Sequence, residues 1–509
     1  MRVGIDFGTT HTAVAVVDRG NYPVVSFDGV DTWPSLIAAD TGGQLRFGVD
    51  AAAVRHAPGW SVLRSVKRLL NQAGPRTEVT LAGRNYQLTE LLTGFLAQLK
   101  SDLQNRSNAG LAPGEAVEAA ISVPANASSA QRLLTLDAFV AAGFHVVALL
   151  NEPSAAGLEY AHRYRSTITA KREYVLIYDL GGGTFDASLL KMTGPLNEVV
   201  ISEGIQRLGG DDFDEAIVQL VLARSKLTVD AATRDLLREE CAARKEAVGP
   251  QTRRFLVDLT AIDERIDRPP FSCAIDDVYS VCAPLVDKTT DLLDRVLRDP
   301  TRDDKDVAWS EVAGIYVVGG TAGFPLVSRI LRTTFGERRV KRSPHPFAAT
   351  AIGLAVFLDN DAGFALSERF SRHFGVFREA QAGDDVVFDP IVPKDASLPA
   401  DGRTPLVVSR TYRAAHNIGH FRFVECSRLV NGRPDGDVMP YDPVLFPFDP
   451  ALHDREDLGR QPVGRWNDGP EVEERYVVAP SGAVEVTLTT QPAGFRRTFR
   501  LERRVPAGV

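Results

Sequence analysis

The residues best suited to chemistry in this 509-residue chain lie in two short stretches, IDFGTT at 5–10 and YDLGGGTFD at 178–186. Each reads as a hydrophobic strand, then an acid, then glycine, then threonine. The strand delivers an aspartate, Asp6 or Asp179, to a fixed point. Gly8, and Gly181, Gly182 and Gly183, let backbone N–H groups close on an anion with no Cβ in the way. Successive N–H groups in a tight turn form a concave phosphate cradle. Thr9, Thr10 and Thr184 add hydroxyls, so the two loops would wrap the β- and γ-phosphates. Two carboxylates facing one polyphosphate can hold Mg²⁺, which keeps several waters and takes one or two protein carboxylates. Asp6 and Asp179 are therefore the metal candidates, with the ion held largely through water. Asp186, on the strand after the second loop, adds a third acid close to the pair. A pair of such loops on one chain points to a duplicated fold holding one nucleotide between two halves.

The elements that must position these residues come in two rounds. Residues 1–48 read as an antiparallel meander, RVGIDF, TAVAVV, YPVVSF, PSLIAA and QLRFG. A helical pattern follows at 61–71, and Thr89 is expected to cap a helix reaching about Leu103. AVEAAISVP (116–124) and HVVALLN (145–151) read as strands buried on both faces. Between them, Ser128 with Gln131 forms a capping box for a helix to about Ala142. A second meander, YVLIYDL, TFDASLL and EVVISEG, then repeats the first. Helices are expected at 212–226, 231–248, 276–298, 323–335 and 347–358, with the strand GIYVVGG before the last two. From about His373 the text becomes short alternating β runs between Pro/Gly turns, which argues a β-sandwich or partial barrel. Residues 431–472 read as a long loop or insertion.

Composition sets the outer bounds. This length exceeds one hydrophobic core, so two or three domains are expected. A formal net charge of -8 gives no electrostatic footprint for nucleic acid or an acidic membrane. Cys241, Cys273, Cys282 and Cys426 are scattered, without metal-ligand spacing or a disulfide framework, and read as reduced thiols. The chain opens directly on a strand and holds no apolar run near the ~20 residues of a membrane span, so a cytoplasmic location is expected.

Taken together, VGIDFGTTHTAVAV, SVKRLL, ISVPANASSAQR, LLNEPSAAGLEYA, YDLGGGTFDASLL, LGGDDFD, VVGGTAGFP and HPFAATAIGLAV occur in the order and spacing of one family. In these the chain resembles the seventy-kilodalton heat-shock chaperones (DnaK-like), within the actin-like ATPase superfamily. The resemblance covers about residues 1–358. It implies an α/β duplicated actin-like (ribonuclease H-like) two-lobed ATPase domain at 1–358, with lobes of about 1–172 and 173–358. A linker at 359–372 and a β-sandwich at 373–509, without the family's helical lid, would follow. ATP/ADP and Mg are the implied cofactors. Lys67 matches the lysine that reaches the γ-phosphate and the attacking water, and Glu152 the residue that orients water near the metal. With Asp179, Thr184 and Asp186 they form the implied catalytic set. Gly209, Gly210, Gly319 and Gly320 would let the backbone approach the nucleoside, with Lys245 beside it. Pro124 and Arg132 match the proline switch and the arginine that relay nucleotide state to the second domain.

The chain departs from the family at the nucleoside end. Ala242, Glu246 and Gly249 replace polar and cationic residues around the adenosine, Gly323 replaces an arginine, and Phe347 stands where an acid is usual. Arg-to-Glu removes a flat cation able to stack on a purine. The linker offers Phe364 and Leu366 as its apolar anchors, so its docking is expected to be weak or different. The implied function is an ATP-hydrolysing chaperone, slow in turnover, whose sandwich binds unfolded or partner polypeptide. A J-domain-type co-chaperone and an exchange factor are implied partners, and nucleic acid and membrane are not. The alternatives are a nucleotide-regulated module with a dedicated partner and, third, an actin-like filament protein or small-molecule kinase.

Overall fold

The computed structural model describes residues 1–70, 73–74, 76–112, 114–205, 207–260, 262, 266, 269–298, 307–367, 369–370, 372–380, 385–394, 396–399, 404–492 and 494–501. Positions 368 and 371 of the expected linker, and 502–509 of the expected sandwich, lie outside the described residues.

The two rounds of elements become two sheets of matching order. In the first, Arg2–Asp6 pairs antiparallel with His11–Val16, which pairs with Trp33–Pro34; on its other side lie Glu118–Val123 and His145–Asn151, both parallel. In the second, Tyr174–Leu180 leads the antiparallel run Phe185–Thr193 and Leu196–Ile205, and is flanked by parallel Val312–Val318 and Val340–Arg342. Asp6 ends the lead strand of one sheet and Asp179 is next to last in that of the other. The halves meet where helix Ala349–Leu358 crosses helix Glu152–Tyr164. The first is buried almost all round, and a Cβ on its Gly353 would collide with the carbonyl of Ala155. A helix apolar on every face belongs inside such a joint. Helix Leu88–Asn105 buries Leu88, Leu91, Leu92, Phe95, Leu96, Leu99 and Leu103, a single 3.6-period stripe, against the first half.

Several expectations change. Residues 61–71 are not one helix: Trp60–Arg64 is a strand paired with Leu36–Asp40, and helix Val66–Leu70 starts only after Ser65, whose φ of 55° breaks the run. Leu36–Asp40 and Leu45–Phe47 belong to that separate three-stranded sheet, and 22–27 makes only isolated bridges, so the opening meander is split. Gln87, whose side chain donates to Glu78 rather than capping, precedes the helix expected to be capped at Thr89. Ser128 does cap its helix, Ser129–Ala141, by accepting from the Gln131 N–H. His145–Asn151 is an edge strand with His145 and Val147 exposed rather than a doubly buried one. Helix Pro325–Phe335 begins two residues late because a 3₁₀ turn, Thr321–Gly323, comes first. Residues 431–472 contain strands Arg433–Pro440 and Val444–Pro447, so that stretch is part of the sandwich.

The C-terminal part packs two sheets face to face. One runs Asp385–Val392, His373–Ala380, Ile418–Val430, Arg433–Pro440, with Val444–Pro447 also on Ile418–Val430; the other runs Leu406–Arg413, Glu471–Val478, Val484–Gln491, Arg496–Arg500. Their inner faces share one core of Phe374, Phe423, Phe446, Tyr476 and Val486 among others. Inside it, Glu474 is fully buried and receives Arg378 (2.7 Å), Tyr412 (2.7 Å) and Tyr476 (2.5 Å). The segment before the sandwich is not loose: Ala365–Ser367 pairs parallel with Leu196–Ile205 and adds a sixth strand to the second sheet, with Leu366 buried.

Candidate active site

The two glycine loops converge. Asp6, Thr9, Thr10, Asp179, Gly182 and Thr184 line one cavity of about 110 Å³, joined by Gly8, Gly181, Gly319 and Gly320. The loops touch: a Cβ on Gly182 would overlap the Thr10 hydroxyl. Gly319, at φ 89°, lies against the Leu180 carbonyl and Asp179, where a Cβ would come 2.6 Å from Asp179 Oδ1. Gly183, Gly209 and Gly210 stand behind the cavity wall. Gly209 packs on the Gly183 backbone, and Gly210 N–H donates to the Gly181 carbonyl at 3.0 Å.

Lys67 and Glu152 reach the same cavity as a buried ion pair. Burial pulls the Lys67 ammonium down, but the charges of Glu152, Asp6 and Asp179 outweigh it and hold the pKa above its usual value. The carboxyls are pushed the other way. Burial, then the Glu152 charge, raises Asp6 to about 6 against Lys67 and a 2.9 Å hydrogen bond from Ser122. Burial and Glu152 raise Asp186 to about 7, opposed by Lys67 and the Thr184 hydroxyl. Asp179 is raised well above its usual range by burial, then by Glu152, Asp186 and Asp6. Four carboxyl groups thus share one ammonium, a donor set that fits a divalent cation. Among the described residues no three acid, imidazole or thiol groups gather to chelate an ion directly.

A second cavity, about 1110 Å³, shares Gly320 with the first and opens between Lys245, Glu246, Thr321, Gly323 and Phe324. Lys245 lies on its wall but is engaged, at 2.7 Å from Asp214 and donating to the Gly210 carbonyl at 3.0 Å. Of the departures, Glu246 and Gly323 line this cavity and Phe347 lines the smaller one.

The two residues expected to form a relay part company. Pro124 lines the smaller cavity, whereas Arg132 reaches away from it, to Asn151 and to the Ser481 carbonyl of the sandwich at 3.1 Å. Between them, Gln131 lines the cavity and Ser129 meets the sandwich. The Ser129 hydroxyl donates to the Gly482 carbonyl at 2.8 Å, and its N–H points to both carboxylate oxygens of fully buried Glu425 at 3.3 and 3.4 Å. Glu425 also accepts from Tyr441 at 2.6 Å. Nine residues of chain, Pro124 to Arg132, therefore span from cavity to sandwich.

Sequence reasoning missed His11, Arg68 and Ser122. Arg68 donates to the Gly183 carbonyl at 2.9 Å and lies 3.2 Å from Asp211, strapping the second loop. Ser122 was legible only as the lone hydroxyl in the apolar run that follows Glu118 in its strand. His11 lines the cavity, where burial lowers its pKa against Glu246 from the other half.

The fold and cleft define a two-lobed actin-like ATPase joined to a β-sandwich. The family model described as Hsp70 protein matches residues 68–363, more than half of the chain, and the protein belongs to the Hsp70 family. It is 29% identical over 478 residues to the chaperone protein DnaK of Thermosipho africanus, covering 86% of this chain and 75% of that one. It is 30% identical over 424 residues to the chaperone protein HscA homolog of Chromobacterium violaceum, covering 78% and 65%. Against the chaperone protein dnaK1 of Synechocystis sp. it is 30% identical over 383 residues, covering 70% and 53%. Among the described residues no helix is long and apolar enough to cross a membrane.

Proposed function

We propose that this protein is an ATP-dependent molecular chaperone that hydrolyses ATP in the cleft and couples nucleotide state to polypeptide binding by the sandwich. One observation carries the reading: glycine loops from opposite halves close on a single cavity lined by Lys67, Glu152, Asp6 and Asp179, with Asp186 buried within electrostatic reach of Glu152 and Lys67. The backbone N–H groups of the loops and the hydroxyls of Thr9, Thr10 and Thr184 bind the phosphates. Asp6 and Asp179 would hold magnesium, which would supply neutralisation of polyphosphate charge. Lys67 neutralises charge on the γ-phosphate, Glu152 fixes Lys67 and orients water, and Asp186 accepts a proton from the attacking water. Positioning and charge carry such a reaction without a covalent intermediate.

We assign 1–358 to the ATPase domain, with lobes near 1–172 and 173–358, 359–372 to the linker and 373 onward to the sandwich. The stretch from Pro124 to Arg132 is the relay, supported by its contacts at both ends. Unfolded or partner polypeptide, a J-domain-type co-chaperone and an exchange factor are the proposed partners. Calorimetric titration with ATP and ADP in Mg²⁺, followed by steady-state ATPase assays with and without unfolded peptides, tests this. Binding and peptide-stimulated turnover are expected. No heat of binding at saturating ATP would overturn it, and turnover indifferent to every peptide would leave only the dedicated-partner module.

A further inference from the structure

Phosphate chemistry accounts for the small cavity but not for the large one behind it. The edge strand Val340–Arg342 runs parallel to Val312–Val318, with Arg342 opposite Val317. It brings Arg342 to the C-terminal ends of the parallel strands, where open α/β sheets receive ligands. Arg342 lines the larger cavity, and its Nη2 lies 3.2 Å from the point that a Cβ on Gly323 would occupy. The guanidinium therefore rests against backbone that is bare because residue 323 is glycine. Among the described residues it has no carboxylate partner and no ring beneath it. Its neighbour Arg329 has both, lying 4.7 Å from the Tyr279 ring centre and 3.8 Å from Asp276. Burial and the like charge of Arg332 lower the pKa of Arg342, so its surroundings add nothing to hold the cation. A planar, weakly hydrated cation in that position is matched by an aromatic face.

We propose that Arg342 is the platform for the nucleotide base, its guanidinium stacking on a purine whose phosphates are held by the two glycine loops. This rests on the ATP reading of the cleft. Stacking reads a ring face and not its hydrogen-bonding edge, so Arg342 favours adenine and guanine alike. The discrimination it supplies is for a purine over a smaller ring or no base.

The test is calorimetry of the full chain and of Arg342→Ala and Arg342→Lys with Mg-ATP, Mg-GTP and, as a base-free probe, Mg-tripolyphosphate. Arg342→Ala is expected to weaken ATP and GTP by about three- to tenfold. Its affinity for tripolyphosphate is expected to stay at the wild-type value, which also shows that the variant is folded. Arg342→Lys, which keeps charge but loses the plane, is expected to recover little. Unchanged ATP affinity in Arg342→Ala overturns the proposal. So does a parallel loss of tripolyphosphate, which would make Arg342 an anion contact, and so does full recovery by lysine. A wild-type protein that binds neither ATP nor tripolyphosphate overturns the ATP reading itself.

Discussion

Asp179 and Asp186 are directly paired across the antiparallel hairpin that carries the second glycine loop, so two acids share one face of adjacent strands. Like charges placed opposite each other destabilise a sheet, and each carboxyl is also desolvated. The local structure is worse for this pair, which is the mark of a position kept for chemistry.

The pair gives a pH signature. Asp186 is raised from 3.8 to about 7. Its protonated form is therefore favoured by folding, a contribution complete below the unfolded value and lost as pH rises through about 7. In nucleotide-free, metal-free protein, Asp186→Asn escapes that loss. Its melting temperature is expected to exceed the wild type's by a few degrees above pH about 8, and the gap should narrow as pH falls below about 7 and close near the unfolded value of 3.8. A gap that is constant with pH refutes the assignment. In the same variant, hydrolysis is expected to drop by about 10²–10⁴-fold.

Lys67→Ala should separate binding from chemistry. It removes the cation that faces Glu152, Asp6 and Asp179. Single-turnover hydrolysis is expected to fall by about 10²–10³-fold, while calorimetric ATP affinity changes only several-fold. Unchanged turnover would remove Lys67 from the mechanism.

Gly319→Ala combines a positive φ with a collision against Asp179 and the Leu180 carbonyl. Gly20, at φ 80°, has nothing within 4 Å and serves as the matched control. Both alanine variants should lose about 1–3 kcal/mol of stability from backbone strain. Only Gly319→Ala is expected to abolish measurable ATP binding, and equal binding in the two would show that the Gly319 approach is unimportant.

Glu425→Ala removes the carboxylate that receives the Ser129 N–H at the start of helix Ser129–Ala141. ATP-dependent protection of residues 359–372 from protease is expected to disappear, along with peptide stimulation of the ATPase. Protection that survives would mean that the contact does not couple the two parts.

Arg378→Ala leaves Glu474 buried with only tyrosine partners. Breaking a buried pair this way costs about 3–5 kcal/mol. The sandwich's unfolding transition should move down, with ATP affinity at the wild-type level. An unmoved transition would show that the tyrosines suffice.

The cleft was largely legible in the sequence because its demands are local. An acid at a strand end followed by glycine and threonine is a pattern of adjacent residues, and both loops lie where that pattern places them. What failed was non-local. Nothing in residues 61–71 announces that Trp60–Arg64 will pair with Leu36–Asp40, and its apolar spacing suits helix or strand. Arg433–Pro440 carries two prolines and a glycine, yet it is a strand because Ile418–Val430 offers it a ladder. Leu366 looked like a weak anchor by composition. It is buried because the edge of Leu196–Ile205 supplies backbone partners that a hydrophobicity reading does not count. Arg342 was overlooked for the same reason, since Gly323, nineteen positions earlier, makes its place.

The strand Ala365–Ser367 has a mechanical consequence. It is both the tether to the sandwich and a rung of the ATPase sheet, joined in parallel register at Leu196, Asn197 and Glu198. A pull along the tether axis loads those hydrogen bonds together in shear, whereas a sideways tug peels them one at a time. Tension from a captured chain would therefore be resisted or released according to its direction, and release would bare the outer edge of Leu196–Ile205.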